Sequence, residues 1–218
     1  HIALSFAPSQ NKIPRFLSNK SVVTGNLLRS AIFSTQSTTL SKTSPKKPVI
    51  LFLGGNQDHR HHNTILSIIP SLTKKFFVIH QTGPQSFFVF RKLSAANYLP
   101  LDYIDQNNIG WAFHQANIVV SRSGANTCQE LDALDKKAIL IPLPFSQQNE
   151  QLLNARWLKR LHPKTIVIIP QLSLTPKLLT AKINQLLAVH HQPQTTPPSQ
   201  NHKLLRLIHR LIQHAPKV

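Results

Sequence analysis

The chain is short of carboxylates: seven Asp and Glu residues stand against 25 Lys and Arg in 218 positions. They are Asp58, Asp102, Asp105, Glu130, Asp132, Asp135 and Glu150. No Asp-x-Asp pair occurs among them, so the sequence lacks an oxygen-donor pattern for holding a hard divalent cation on a diphosphate. A single cysteine, Cys128, excludes an internal disulfide and fits a reducing compartment. Methionine is absent and the chain opens on His1, which reads as a fragment whose N-terminal part, with any targeting signal, lies elsewhere. No run of about 18 apolar residues occurs, so nothing in the sequence reads as a membrane-spanning helix.

What is present is a chain with 41% hydrophobic residues, long enough for one domain with room for a fragment of a second. The formal charge of +18 implies an anionic partner: phosphate groups, nucleic acid or an acidic membrane face. A generally basic proteome accounts for the charge equally well. The cations are spread along the chain, without an RNP-like aromatic motif or zinc-finger spacing, so nucleic acid is the weaker reading. The tract "HRHH" (His59, His61, His62) has no Cys or carboxylate at metal-ligand spacing. It reads as a solvated, partly phosphate-facing helix start.

Apolar runs alternate with helical segments through the middle of the chain. "VILFL" (49–53), "FFVIH" (76–80), a third run leading to "LDYID", "NIVVS" (117–121), "AILIPL" (138–143) and "TIVIIP" (165–170) read as strands. Between them the pattern predicts helices over 60–69, stopped near Pro70, over 107–115, from near 126, over 149–161 and over 176–188. Continuous apolar strands imply burial on both faces, and intervening helices imply right-handed crossovers. The expectation is a Rossmann-like, doubly wound parallel sheet of the α/β class, with ligands outside the carboxyl ends of the strands. "HHQPQTTPPSQ" (190–200) is a Pro/Gln/Thr linker. Beyond it Leu204, Leu205, Leu207, Ile208, Leu211 and Ile212 share one helical face, with Lys203, Arg206, Arg210 and His214 largely off it. Such a helix suits an anionic lipid surface, though docking onto the body of the protein is the preferred reading.

Three strand-to-helix junctions carry chemistry. In "LGGNQDHR" two glycines let the backbone approach a phosphate or sugar at a helix start. In "SRSGANTCQEL", Ser123, Gly124 and Ala125 are small enough for a diphosphate to rest on the helix N-terminus. Glu130 follows a turn later, where its carboxylate suits both hydroxyls of a ribose. An equally good reading is a favourable charge in the first helical turns, with Asn126 or Ser123 as cap. In "PLPFSQQNEQLLNA", Gln147, Gln148, Asn149, Gln151 and Asn154 both donate and accept, as sugar hydroxyls require, although a polar helix start explains them too. Together the three junctions describe a nucleotide-sugar site without a metal.

The ordered motifs "VVTGNLLRSAI", "LFLGGNQ", "HQTG", "YID", "SRSGANTCQEL" and "ILIPLP…NEQLLNA" resemble the C-terminal half of the MurG family over roughly residues 20–188. The resemblance implies the C-terminal half of a GT-B glycosyltransferase. Its activity would be inverting, metal-independent transfer of N-acetylglucosamine from UDP-N-acetylglucosamine to undecaprenyl-diphosphate-MurNAc-pentapeptide (lipid I to lipid II) in peptidoglycan synthesis. No cofactor and no nucleic acid partner are implied. The implied place is the bacterial cytoplasm, peripheral on the anionic cytoplasmic face of the inner membrane. The implied organisation is the end of an N-terminal acceptor domain and hinge (1–28), a UDP-sugar-binding domain (29–189), a linker (190–202) and an amphipathic helix (203–218). By motif, Arg29 is the hinge arginine, and Asn56 and Gln57 lie in the Gly-Gly loop near the phosphates. Ile104 meets the uracil through its backbone, and Ser123, Gly124, Ala125, Asn126 and Thr127 line the diphosphate and sugar. Glu130 binds the ribose, and Gln151 with Asn154 reads the sugar. Asn56 stands where the family has serine, Asp58 and His59 replace two small residues, and Leu27 replaces a proline. The catalytic base is expected in the missing N-terminal domain, so the chain is expected to bind donor without turnover. A related transferase with another lipid acceptor and a non-catalytic basic membrane- or nucleic-acid-binding module are the alternatives.

Overall fold

The computed structural model describes residues 2–4, 9–10, 13–40, 43, 45–54, 59–93, 95–193 and 201–213, and of residues 59–62, 148 and 201–203 the backbone alone. A six-stranded parallel sheet is built from β3 (Val49–Leu53), β4 (Phe77–Gln81), β5 (Tyr98–Leu101), β6 (Ala116–Ser121), β7 (Ala138–Leu140) and β8 (Ile166–Ile168). Its order is β5-β4-β3-β6-β7-β8, so the chain winds outward from β3 in one direction and restarts beside it at β6. Two short strands, β1 (Ile2–Leu4) and β2 (Ser21–Val23), form a separate parallel pair. A four-residue helix α1 (Arg15–Ser18) lies between them.

Alternate residues of each central strand enter opposite cores. Val49 and Leu51 face one side with Trp111, Phe113, Cys128, Leu131 and Leu158, which come from α4 (Ile109–Gln115), α5 (Ala125–Ala133) and α6 (Glu150–Leu161). Ile50 and Phe52 face the other with Ile65, Ile69, Leu72, Phe90, Leu179 and Ile183, from α2 (His59–Lys75), α3 (Pro84–Arg91) and α7 (Pro176–Leu187). The expected doubly wound α/β sheet is therefore present, with helices on both faces.

Two elements differ from the sequence reading. Helix α2 runs through Pro70 to Lys75 instead of stopping. Pro70 lies on the exposed side while Ile65, Ile68, Ile69 and Leu72 are almost wholly buried. Burying four such side chains, at about 1.5–3 kcal/mol each, outweighs the roughly 3 kcal/mol a mid-helix proline costs. Helix α3 occupies a stretch for which the sequence pattern predicted no helix: Gly83 caps it and Pro84 supplies its first residue, where a missing N–H costs nothing.

Helix α8 (Asn201–Gln213) does not bury its apolar face on the body as expected. Leu205, Ile208, Leu211 and Ile212 are 42–69% exposed. Both faces of the sheet are already covered by the other helices, so the two cores are complete without α8.

Ahead of β3, a 3₁₀ turn (Ser30–Phe33) packs on α4 with Ile32 buried. The contact depends on Gly110, where a Cβ would run into the carbonyls of Ala31 and Ser34. At the amino end of the strands, His162 Nε2 meets Asp132 Oδ1 at 2.6 Å, and Asp135 lies 3.5 Å from His162 Nδ1 and 3.4 Å from His191 Nε2. The group ties the ends of α5, α6 and α7 together. The hydrogen bond to Asp132 raises the His162 pKa, against the lowering effect of burial.

Gly110→Ala is expected to cost about 1–3 kcal/mol in chemical denaturation, the range for a side chain forced into a full contact. His162 adds stability that is complete below the unfolded histidine value of about 6.5 and is lost as pH rises through its higher folded value. A His162→Gln variant should therefore flatten the decline in melting temperature between about pH 6 and 8.

Candidate nucleotide site at the switch point

The strand order reverses between β3 and β6, and their carboxyl ends open into a cleft of about 370 Å³. Leu53, Gly54, Ser121 and Arg122 form its base, and Asn126, Thr127 and Glu130 come from α5. Arg29 closes one side, and Gln81, Tyr103, Ile104 and Ile109 form the far end.

Helix α5 has Gly124 as its N-cap, so no side chain caps its first amides. The space beside Gly124 is open, since a Cβ there would meet nothing within 4 Å. Uncapped amides and the positive end of the helix dipole favour an anion at this point. Glu130, one turn further in, is 4% exposed. Arg29 meets its Oε1 twice, with Nη2 at 2.7 Å and Nε at 2.9 Å, and among the described residues no group donates to Oε2. Burial raises the Glu130 pKa, while the hydrogen bond and charge of Arg29 draw it back down. The second carboxylate oxygen is thus available to hydroxyl donors in the cleft.

Arg29 is held in place by the loop before it. The Asn26 backbone N–H donates to Gln129 Oε1 at 2.6 Å, and Asn26 Nδ2 donates to Asn126 Oδ1 at 2.8 Å. At the far end two of the scarce carboxylates shape the turn around Ile104. Asp102 Oδ1 accepts from the Tyr103 N–H at 2.7 Å, and Asp105 Oδ1 accepts from the Asn107 N–H at 3.0 Å and Asn108 Nδ2 at 2.7 Å.

Of the residues singled out in the sequence, Arg29, Ile104, Asn126, Thr127 and Glu130 come together around this cleft. Gly124 and Ala125 form the adjoining helix start. Ser123, Gln151 and Asn154 do not line it. The fully buried Ser123 hydroxyl donates to the Gln151 carbonyl at 2.8 Å, Gln151 Oε1 accepts from the Leu143 N–H at 3.0 Å, and Asn154 Nδ2 donates to the Ser123 carbonyl at 3.2 Å. These three side chains brace the β6–α5 turn against the β7–α6 loop. Asn56, Gln57 and Asp58 lie outside the described residues, as do the side chains of His59, His61 and His62.

Among the cleft residues given no role from the sequence, Arg122 and Gln81 are fixed by hydrogen bonds, although both lie inside the quoted "SRSGANTCQEL" and "HQTG". Arg122 donates through Nη1 to the Ile141 carbonyl at 3.0 Å and to Gln171 Oε1 at 2.6 Å, which fixes a cation at the switch point. Gln81, the last residue of β4, accepts the Ile104 N–H at 3.1 Å. Both sit at strand ends, the positions where ligands of such sheets are expected, and that rule applied to every strand would have found them.

A doubly wound sheet with this order, a cleft at its switch point and a buried carboxylate one turn into the adjoining helix define an α/β domain whose candidate ligand site lies at the switch point. Residues 49–211 match the glycosyltransferase family 28 C-terminal domain, and the chain belongs to that family. It is similar to two proteins named UDP-N-acetylglucosamine–N-acetylmuramyl-(pentapeptide) pyrophosphoryl-undecaprenol N-acetylglucosamine transferase. That of Helicobacter pylori (strain ATCC 700392 / 26695) is 30% identical over 212 residues, covering 84% of this chain and 59% of the relative. That of Thermodesulfovibrio yellowstonii (strain ATCC 51303 / DSM 11347 / YP87) is 33% identical over 187 residues, covering 80% of this chain and 50% of the relative. The chain thus spans between half and three-fifths of the length of these relatives. The crystal structure of Acinetobacter baumannii MurG shares its fold, with a TM-score of 0.63 at 22% identity over 95% of this chain and 60% of that one.

Replacing Arg29 by Ala removes both influences that offset the burial of Glu130. The Glu130 carboxyl should then titrate at a higher pH than in the wild type, read from its side-chain carbon resonance. An unchanged or lowered value would show that the ion pair does not control its charge.

Proposed function

We propose that this domain is the donor-binding half of a family 28 transferase that takes UDP-N-acetylglucosamine and passes the sugar to an undecaprenyl-diphosphate-linked acceptor. The observation that carries the reading is the pairing of Arg29 with the buried Glu130, one turn into α5 and beside the cleft. In this reading the diphosphate rests on the uncapped first turn of α5, with Arg122 beneath it. Glu130 accepts the ribose hydroxyls, and the base lies towards Ile104. The names of the relatives supply the sugar and the acceptor.

In the proposed transfer, the acceptor hydroxyl oxygen forms a bond to C1 of the sugar on the face opposite the diphosphate. The C1–O bond breaks with its electron pair leaving on the diphosphate, and the hydroxyl proton passes to a base. The domain's own contribution is to hold the leaving group. Helix-end amides and a cation fixed in place stabilise charge without reorganising. The acceptor and the base are assigned to the part of the relatives' length that this chain does not span.

A place at the cytoplasmic face of the bacterial inner membrane belongs to the same reading. Helix α8 contains Lys203, Arg206 and Arg210 and no acidic residue, and it exposes Leu205, Ile208, Leu211 and Ile212. An anionic lipid surface accommodates both features. No helix of the described residues is long and apolar enough to cross a membrane.

Calorimetry in EDTA should show UDP-N-acetylglucosamine binding, with UDP-glucose and GDP as comparisons. Glu130→Ala should weaken binding on the order of tenfold or more, as loss of a charged hydrogen bond of about 1.5–3 kcal/mol implies. The ionised carboxylate is the binding form, so affinity should fall as pH drops through the raised Glu130 value, at a higher pH than an ordinary carboxylate. A folded chain that binds none of the three nucleotides overturns the donor-site reading.

A further inference from the structure

Helix α3 carries apolar residues that the core does not use. Its run "FFVF" (87–90) sets four of them in succession, and of these Phe90 alone is buried in the core on that face of the sheet. Phe88 and Val89 are 70% and 47% exposed, and both lie one helical turn from Gln85 and Lys92, so the four share an outward face. Phe87 is half-buried, with the Arg91 guanidinium 5.8 Å from its ring centre. A single exposed apolar side chain is ordinary on a protein surface, whereas adjacent ones set among cations mark a contact surface.

The cations belong to three segments that meet at one point. The Thr73 carbonyl, near the end of α2, accepts from Asn97 Nδ2 at 3.0 Å and from Lys47 Nζ at 3.3 Å, which gathers the approaches to β3 and β5 around it. Lys46, Lys74, Lys75, Arg91 and Lys92 stand exposed on these segments. No Asp or Glu occurs from position 59 to 101, and among the described residues none of these five cations is in an ion pair. A helix C-terminus attracts positive charge, and Lys47 already meets that need for α2 by a second bond, to the Lys74 carbonyl at 2.8 Å. The five exposed cations are surplus to it.

We propose that the outer face of α3 is a membrane-contact surface for an anionic phospholipid bilayer. Phe88 and Val89 enter the boundary of the acyl chains, while Lys74, Lys75, Arg91 and Lys92 meet the lipid phosphates around them. A polyanion without hydrocarbon, such as RNA, would use the cations and leave Val89 with nothing to contact. The orientation suits the lipid-linked acceptor of the reading above. Helix α3 starts after the carboxyl end of β4 and returns to the amino end of β5, so a bilayer against it lies alongside the strands with the cleft opening at its edge. The inference rests on the membrane placement given above and adds a surface that is independent of α8 and of the donor cleft.

The test is sedimentation of the full chain with vesicles of phosphatidylcholine containing phosphatidylglycerol, and with vesicles of phosphatidylcholine alone. The chain should bind the anionic vesicles in preference. Phe88→Ser with Val89→Ser should lower that partitioning about tenfold, as withdrawal of two partly inserted side chains implies, with the melting temperature near that of the wild type. Lys74→Gln, Lys75→Gln and Lys92→Gln together should lower it on the order of a hundredfold. Both losses should also appear in a chain whose α8 carries Leu205→Ser and Ile208→Ser. Vesicle binding that ignores the Phe88 and Val89 changes but is lost with the α8 changes overturns this surface and leaves the membrane placement standing. Binding that depends on the lysines and not on Phe88 and Val89 overturns it in favour of a polyanion. A wild-type chain that binds UDP-N-acetylglucosamine but neither kind of vesicle overturns the membrane placement and this surface together, and leaves the donor site intact.

Discussion

Two-sided burial of a parallel sheet is the constraint on which the other features depend. Parallel strands cannot be joined by hairpins, so each connection must climb over one face, and the faces are covered by the connections themselves. Here the winding reverses between β3 and β6. The connections on either side of that line part and leave a gap at the carboxyl ends of the two strands. The cleft with Gly54 and Arg122 at its base is that gap. No residue was needed to hollow it out; the residues around it decide only what it holds.

Scarcity of carboxylates makes their placement informative. Asp102 and Asp105 shape the turn that presents Ile104, and Glu130 enters the cleft against Arg29. Asp132 and Asp135 sit at the opposite end of the sheet, where His162 and His191 join three helix ends. Glu150 accepts weakly from Asn154 at 3.4 Å. The described acids are thus divided between the two ends of the strands, with the cleft at one end and cohesion at the other. The cations are far more numerous than such pairs require, which leaves most of the positive charge on the surface for solvent and partners.

The fold was legible because burial on both faces writes itself as uninterrupted apolar runs, and β3, β4 and β6 fell within a residue of where those runs lie. Pro70 misled because a local rule was set against a tertiary gain that only the packed helix reveals. Helix α3 was hidden because Gly-Pro punctuates a turn and opens a helix with the same two letters. In the site, position relative to a strand end was readable and located Glu130, whereas Ile104 and Asn126 came from the ordered motifs of the family resemblance. How a short polar side chain is used was not readable. Ser123 and Asn154 look like sugar ligands in sequence, yet their hydrogen bonds close a joint between two loops. Gln81 stood inside the quoted "HQTG", but nothing in those four letters says what its amide faces.

The loop that carries Arg29 also defines a mechanical boundary. The N–H groups of Thr24 and Gly25 both donate to the Leu4 carbonyl, on the side of the small β1–β2 pair. From Asn26 onward the contacts pass to α5, and the next turn is seated on Gly110 with no space beneath it. Among the described residues the hydrogen bonds therefore change partner across one peptide bond, next to Gly25 with its φ of 75°. A swing of the small pair against the large sheet would pivot there, as on a pin. Arg29 would stay with the sheet, and the ion pair in the cleft would not register the motion.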